Sequence, residues 1–125
     1  MINLSWEMTT DRPIYIQLVD EMKLRIITGF YKPGENIPTV RELAAEAEVN
    51  PNTMQRALSE LEESELIITH RTTGRTVTES TELITNTKKT IAKDVVQRFL
   101  TKMQTLGFQK NEAIQFAVKE INDNE

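Results

Sequence analysis

The chain has 125 residues, no cysteine, one histidine and a net charge of −4. Without cysteine there is neither a disulfide framework nor a thiolate metal site. One histidine argues against a His-rich metal site or a His-dependent triad. No stretch approaches the roughly 18 apolar residues of a membrane span. The N-terminus lacks the basic start and apolar run of a signal peptide, so a cytoplasmic protein without a membrane segment is expected.

In chain order, Ile2, Leu4, Trp6 and Met8 alternate with polar residues, which predicts a short strand. Pro13 suits the first position of a helix. Tyr15, Val19, Met22 and Ile26 then recur at helical spacing, up to a stop at Gly29. Lys32-Pro33-Gly34-Glu35 reads as a type II turn, with Pro presetting one central residue and Gly accepting positive φ at the next. Ile37-Pro38 follows as extended chain.

Thr39 with Glu42 matches a capping box and starts a second, short helix, with Val40, Leu43, Ala44 and Ala47 on one face. Asn50 and Pro51 suit the N-cap and N1 positions of a third helix that runs to about Ser64. Its buried stripe is Met54, Ala57, Leu58 and Leu61. Leu66–Thr69 and Arg75–Thr78 read as two strands joined by the turn Thr72-Thr73-Gly74. Ile84, Ile91, Val95, Phe99, Met103 and Leu106 then recur at helical spacing up to Gly107. A last helix is expected from about Lys110 to Ile121, with Ala113, Phe116, Ala117 and Ile121 inward.

Three helices followed by a hairpin is the layout of a winged helix-turn-helix. The expected fold is therefore mainly α: three helices plus a β-hairpin wing over residues 1–79, then a two-helix C-terminal dimerisation segment over residues 80–125.

On a helical wheel of the third helix, Asn52 and Arg56 fall almost opposite the apolar stripe, flanked by Thr53 and Gln55. Asn and Gln can pair with adenine N6 and N7, and Arg with guanine O6 and N7. The start of the second helix of a helix-turn-helix enters the major groove, which puts these residue types where base edges lie. A bland solvated face would also be polar, and Asn-Pro at a helix start is ordinary capping. The charge distribution favours the DNA reading. Residues 1–80 carry eight basic against thirteen acidic residues, a balance of −5. Yet residues 50–59 contain no acid, and Glu60, Glu62, Glu63 and Glu65 gather at the helix's far end. An acidic protein needs such segregation to approach phosphate. Arg41 lies near the start of the preceding helix, and Arg71 and Arg75 bracket the hairpin tip. Arginine contacts are expected at the tip, with Gly74 supplying turn geometry. His70 reads as a surface residue at a strand end, and Trp6 and Tyr15 as core or interface residues.

The stretch from Pro13 to Ile67 resembles the GntR family of bacterial transcription regulators. The matching pieces are Pro13-Ile14-Tyr15, Lys32-Pro33-Gly34, Ile37-Pro38-Thr39-Val40-Arg41-Glu42-Leu43-Ala44, and Asn50-Pro51-Asn52-Thr53 with Arg56-Ala57-Leu58. The short C-terminal part is similar to that of the YtrA subfamily. The resemblance implies DNA contacts from Thr39, Arg41, Asn50, Asn52, Thr53, Gln55 and Arg56, with Arg71, Thr73, Gly74 and Arg75 in the wing. It also implies a homodimeric repressor on a pseudo-palindromic operator in double-stranded DNA. The chain departs from the family pattern in two places. Glu48 stands where the inter-helix turn usually has glycine. In the wing, Thr72 replaces a glycine and Thr76 an aromatic residue.

The 45 residues after Ser80 are too few to enclose a drug-sized pocket of about 300 Å³. Their apolar stripes need a partner, and a second copy is expected to supply it through Ile91, Val95, Phe99, Met103 and Phe116. Packing onto the winged helix of the same chain is the simpler alternative. No pattern calls for a cofactor, a metal or a small-molecule effector. Two other functions compete: a winged helix used only to bind proteins, favoured slightly by the acidic balance, and an enzyme. No phosphate loop, metal-ligand cluster or nucleophile–base set supports an enzyme.

Overall fold

The computed structural model describes residues 6–124. Its order is α1 (Ile14–Ile27), α2 (Val40–Ala47), α3 (Pro51–Glu63), β1 (Ile67–His70), β2 (Gly74–Val77), α4 (Thr81–Thr105) and α5 (Lys110–Asp123). The expected N-terminal strand falls partly outside the described residues. Its described part, Trp6 to Met8, has no strand pairing; Trp6 and Met8 instead pack against the helical core. Pro13 is the N-cap of α1, one residue earlier than expected.

The chain divides into two compact units, residues 1–87 and 88–125. The division falls inside α4 and not at residues 79/80, because Leu83 and Ile84, in the first turn of α4, pack against the first unit's core.

The first unit has a dense interior. Leu18, Met22 and Ile26 of α1, Leu43 of α2, and Met54, Leu58 and Leu61 of α3 are each at most 1% exposed. Leu66, Ile67 and Val77 close it from the hairpin side. The strands pair antiparallel with Ile67 opposite Val77 and His70 opposite Gly74. Each strand lies one residue from its expected position. β2 is also held on its other side: Ile37 N–H donates to the Arg75 carbonyl at 3.0 Å, and Val77 N–H to that of Glu35 at 2.9 Å. The Lys32–Glu35 turn forms as expected, with Gly34 at φ 78° and Glu35 N–H bonded to the Lys32 carbonyl at 2.9 Å.

Arg25 is buried in this unit although periodicity gave no warning of it. An ion in the interior is costly unless paired and hydrogen-bonded. Arg25 donates to Glu21, Glu46 and the Tyr31 hydroxyl, each at 3.1 Å, and lies 4.1 Å from the Trp6 ring centroid. Burial works against its charge, but the hydrogen bonds outweigh burial and push its pKa up. The Trp6 indole N–H donates to the same Glu46 carboxylate at 3.0 Å. This cluster ties the N-terminal segment to α1 and α2.

The second unit is packed differently. Met103 and Ala113 are buried in it. Phe108 and Phe116 stack at 5.4 Å. Phe116 and Ile121, expected inward, are 47% and 60% exposed, and Ala117 is half-buried. Two helices have too little facing surface to cover both stripes. No helix among the described residues is long and apolar enough to cross a membrane.

Candidate nucleic-acid interface

The interface begins with two helix starts. Thr39 caps α2: its hydroxyl accepts from Glu42 N–H at 3.2 Å, and the Glu42 carboxylate accepts from Thr39 N–H at 3.1 Å. This reciprocal pair satisfies two of the donors that a helix start leaves without partners. The hydrogen bonds hold the Glu42 carboxyl below the usual range. Arg41 follows at the exposed second position of α2. Asn50 caps α3 by accepting from Asn52 N–H at 2.8 Å, with Pro51 at N1.

Between these helices Glu48 takes the left-handed conformation, φ 57° and ψ 47°. Its N–H and that of Val49 return to Ala45 and Ala44 carbonyls. This backbone reversal is a glycine-type helix stop made with a residue that strains to adopt it. Glu65 makes the same turn after α3, at φ 65°, a position the sequence did not flag.

α3 separates its faces cleanly. Met54, Ala57, Leu58 and Leu61 are fully buried. Asn52, Gln55 and Arg56 are exposed, and Thr53 is half-buried. Two of these side chains are already engaged. The Arg56 guanidinium carbon lies 3.6 Å from the centroid of the Tyr15 ring, on α1. Gln55 faces the other way, donating to Ser59 Oγ at 3.3 Å and accepting from Arg75 Nη2 at 3.4 Å. The exposed face of α3 therefore has an α1 side and a wing side.

The wing differs from expectation in one respect. Arg75 is not a free tip residue. Its Nε donates to Glu62 Oε1 at 2.6 Å, and it is only half-exposed. Glu62, one of the acids at the far end of α3, thus reaches the wing through the Arg75 side chain. Burial works to raise the Glu62 pKa; hydrogen bonds to Arg75 and Thr69 outweigh it and hold the carboxyl below its ordinary range. Arg71 is fully exposed. Gly74 has φ 85°, as the turn requires, and a side chain there would have space, so its role is conformational. Asn36, which the sequence did not single out, donates to the Thr73 carbonyl at 2.6 Å and braces the tip. His70 is exposed and hydrogen-bonded to Thr76 Oγ1 at 2.7 Å.

Between the start of α2 and the wing lies a cleft of about 530 Å³, lined by Thr39 and Arg41 on one side and Thr73, Gly74 and Arg75 on the other. Thus Thr39, Arg41, Thr73, Gly74 and Arg75 share one cleft, which Arg71 does not line, and Asn52, Gln55 and Arg56 share the exposed face of α3. Among the described residues, no metal-binding group of three or more His, Asp or Glu side chains comes together.

Comparison with known proteins agrees with this architecture. Residues 14–77 match the model of the bacterial regulatory proteins of the gntR family. The HTH-type transcriptional repressor YtrA of Bacillus subtilis (strain 168) is 32% identical over 111 residues, which cover 88% of this chain and 85% of that protein. A GntR family transcriptional regulator from Listeria monocytogenes superposes with a TM-score of 0.83 at 41% identity, covering 90% of this chain and 98% of that one. AraR(DBD), in a crystal structure with operator ORE1, superposes with a TM-score of 0.51 at 26% identity, over 57% of this chain and 89% of that one. With the matched region spanning the winged helix and the short C-terminal helices shared with YtrA, the chain belongs to the gntR family of bacterial transcription regulators, in its YtrA subfamily.

Proposed function

We propose that this regulator is a cytoplasmic homodimeric repressor that reads an inverted-repeat operator by inserting the start of α3 into the major groove. The carrying observation is the exposed face of α3: Asn52, Gln55 and Arg56 stand clear of any acid in the helix's first two turns, opposite a fully buried stripe. Asn52 and Gln55 are the proposed base readers, because their amides can pair with adenine in two hydrogen bonds. Asn50 and Thr53 sit at the helix start, where their polar side chains and the positive end of the helix dipole favour a phosphate. Thr39 and Arg41 hold the backbone on one side of the cleft. Arg71, Thr73 and Arg75 hold it from the wing, with Gly74 shaping the turn between them. AraR(DBD) in its operator complex supports this use of the fold by analogy.

Residues 80–125, which contain the second unit, are the proposed dimerisation segment. Its support is exposed apolar surface: Val95, Phe99 and Phe116 are 52%, 39% and 47% exposed in the single chain. Met103 is covered within the chain, so Ile91, Val95, Phe99 and Phe116 carry the interface. A twofold axis then gives two reading heads, which is why the site is proposed to be palindromic.

Selection of binding sites from a random duplex library, at near-physiological salt, tests both parts. Recovery of an inverted repeat is expected, with its half-site spacing giving the distance between recognition helices. Recovery of a single half-site would overturn the dimer and leave the reading head. Recovery of no motif by a folded protein that also fails to bind bulk duplex at low salt would overturn DNA binding itself.

A further inference from the structure

Arg56 and Gln55 are adjacent on α3 yet point to different neighbours, and this divides the interface. Gln55 meets the wing residue Arg75, while the Arg56 guanidinium carbon lies over the Tyr15 ring of α1, 3.6 Å from its centroid. A guanidinium on an aromatic face keeps its in-plane N–H donors available, because only its π face is used. The stack therefore fixes the direction of the donors without consuming them. Arg56 is also the sixth residue of α3, about 7.5 Å along the axis from Pro51 at 1.5 Å per residue. Base contacts in this fold come from the start of the recognition helix, and what separates Arg56 from its neighbour Gln55 there is the side each faces: Arg56 is drawn onto α1, while Gln55 faces the wing.

We propose that Tyr15 is a positioning residue that holds Arg56 as a clamp on a backbone phosphate at the α1 side of the groove, leaving base reading to Asn52 and Gln55. This rests on the DNA-binding reading above. The second firm point on the backbone is the cleft of Thr39, Arg41 and the wing. The recognition helix is then gripped on both flanks, and the Tyr15–Arg56 pair sets its depth and tilt.

The experiment measures binding of the full chain to its selected site and to a scrambled duplex across a salt series. Arg56→Ala is expected to weaken both by a similar factor, on the order of tenfold, and to reduce the slope of log affinity against log salt by about 0.9 per protomer, one phosphate contact each, or about 1.8 for the bound dimer. The order of preference among single-base variants of the site stays unchanged. Tyr15→Leu is expected to weaken both duplexes roughly two- to fivefold, while Tyr15→Phe keeps the ring and binds as the parent. In the Arg56→Ala background, Tyr15→Leu has no further effect, and this comparison reads the coupling free of any general loss of stability. A loss of preference at one base pair in Arg56→Ala, with the salt slope intact, would make Arg56 a base reader and overturn the clamp. An equal effect of Tyr15→Leu with and without Arg56 would overturn the positioning role. Either result leaves the DNA-binding reading standing; failure of the parent chain to bind any duplex overturns both.

Discussion

The two units handle apolar residues in opposite ways. In the first, helical stripes on α1, α2 and α3 meet one another and the hairpin, and the core's large side chains are fully covered, with only Phe30 and Ile68 among the unit's described large apolar residues exposed outside it. In the second, Val95, Val96, Phe99, Leu106, Ile114, Phe116, Val118 and Ile121 remain exposed. The cause is geometric. Three helices plus a hairpin surround a core, whereas two helices cover one strip of each other. The first unit's stability is internal, and the second unit's apolar surface has most to gain from association.

The largest expected effect sharpens this contrast. Leu58→Ala removes a fully buried side chain at the α3 stripe and is expected to cost about 2–5 kcal/mol, read by chemical denaturation. The same experiment on Val118→Ala, 51% exposed, is expected to change the single chain's stability by less than about 1 kcal/mol. Equal losses would erase the distinction between the units.

Association comes next. Phe99→Glu places a charge in the proposed apolar interface and is expected to weaken dimerisation by about 2 kcal/mol or more, roughly thirtyfold, in sedimentation equilibrium. The far-ultraviolet signal and the first unit's melting should persist. A variant that stays dimeric would move the interface off this face.

Smaller effects test the first unit's own joints. Glu48→Gly relieves a left-handed residue and is expected to stabilise by about 1 kcal/mol, measured as a raised thermal midpoint. A fall would mean that the Glu48 side chain does something beyond tolerating the turn.

The smallest effect concerns acid. Glu62 has its folded pKa below the ordinary glutamate value, so the folded state binds that proton less readily than the unfolded state. Its contribution to stability is present above the ordinary glutamate range and is lost as pH falls through it toward the depressed folded value. Glu62→Gln should therefore flatten the stability profile on the acid side and leave its shape above pH 6 unchanged. It should also loosen the Arg75–Glu62 ion pair that ties the wing to α3, which makes the wing tip easier to cleave by protease.

Much of the first unit was legible because its signals are local. The Thr39 capping box, the Asn50-Pro51 helix start, the Pro33-Gly34 turn and the α3 stripe each need only a few neighbouring residues, and each forms as read. The polar interior was not legible. Gln17 and Arg25 are buried because Thr9, Arg12, Glu21, Tyr31 and Glu46 satisfy them, and of those partners only Glu21 lies within one helical turn. The alternation at the N-terminus lies partly outside the described residues; within them, Trp6 is placed against the buried cation of Arg25.

The candidate site divides along the same line. The sequence by itself determined which residue types stand on the outer face of α3, because a helix's periodicity fixes the angle of every side chain about its axis. Only the tertiary structure decided what those side chains face. It brought Tyr15 under Arg56 across 41 positions, set Glu62 beside Arg75, and joined Thr39 and Arg41 to the wing across one cleft. The physical reason is range: hydrogen bonds within a turn and helical periodicity act over four residues or fewer, whereas ion pairs and ring contacts act between whichever surfaces core packing brings together.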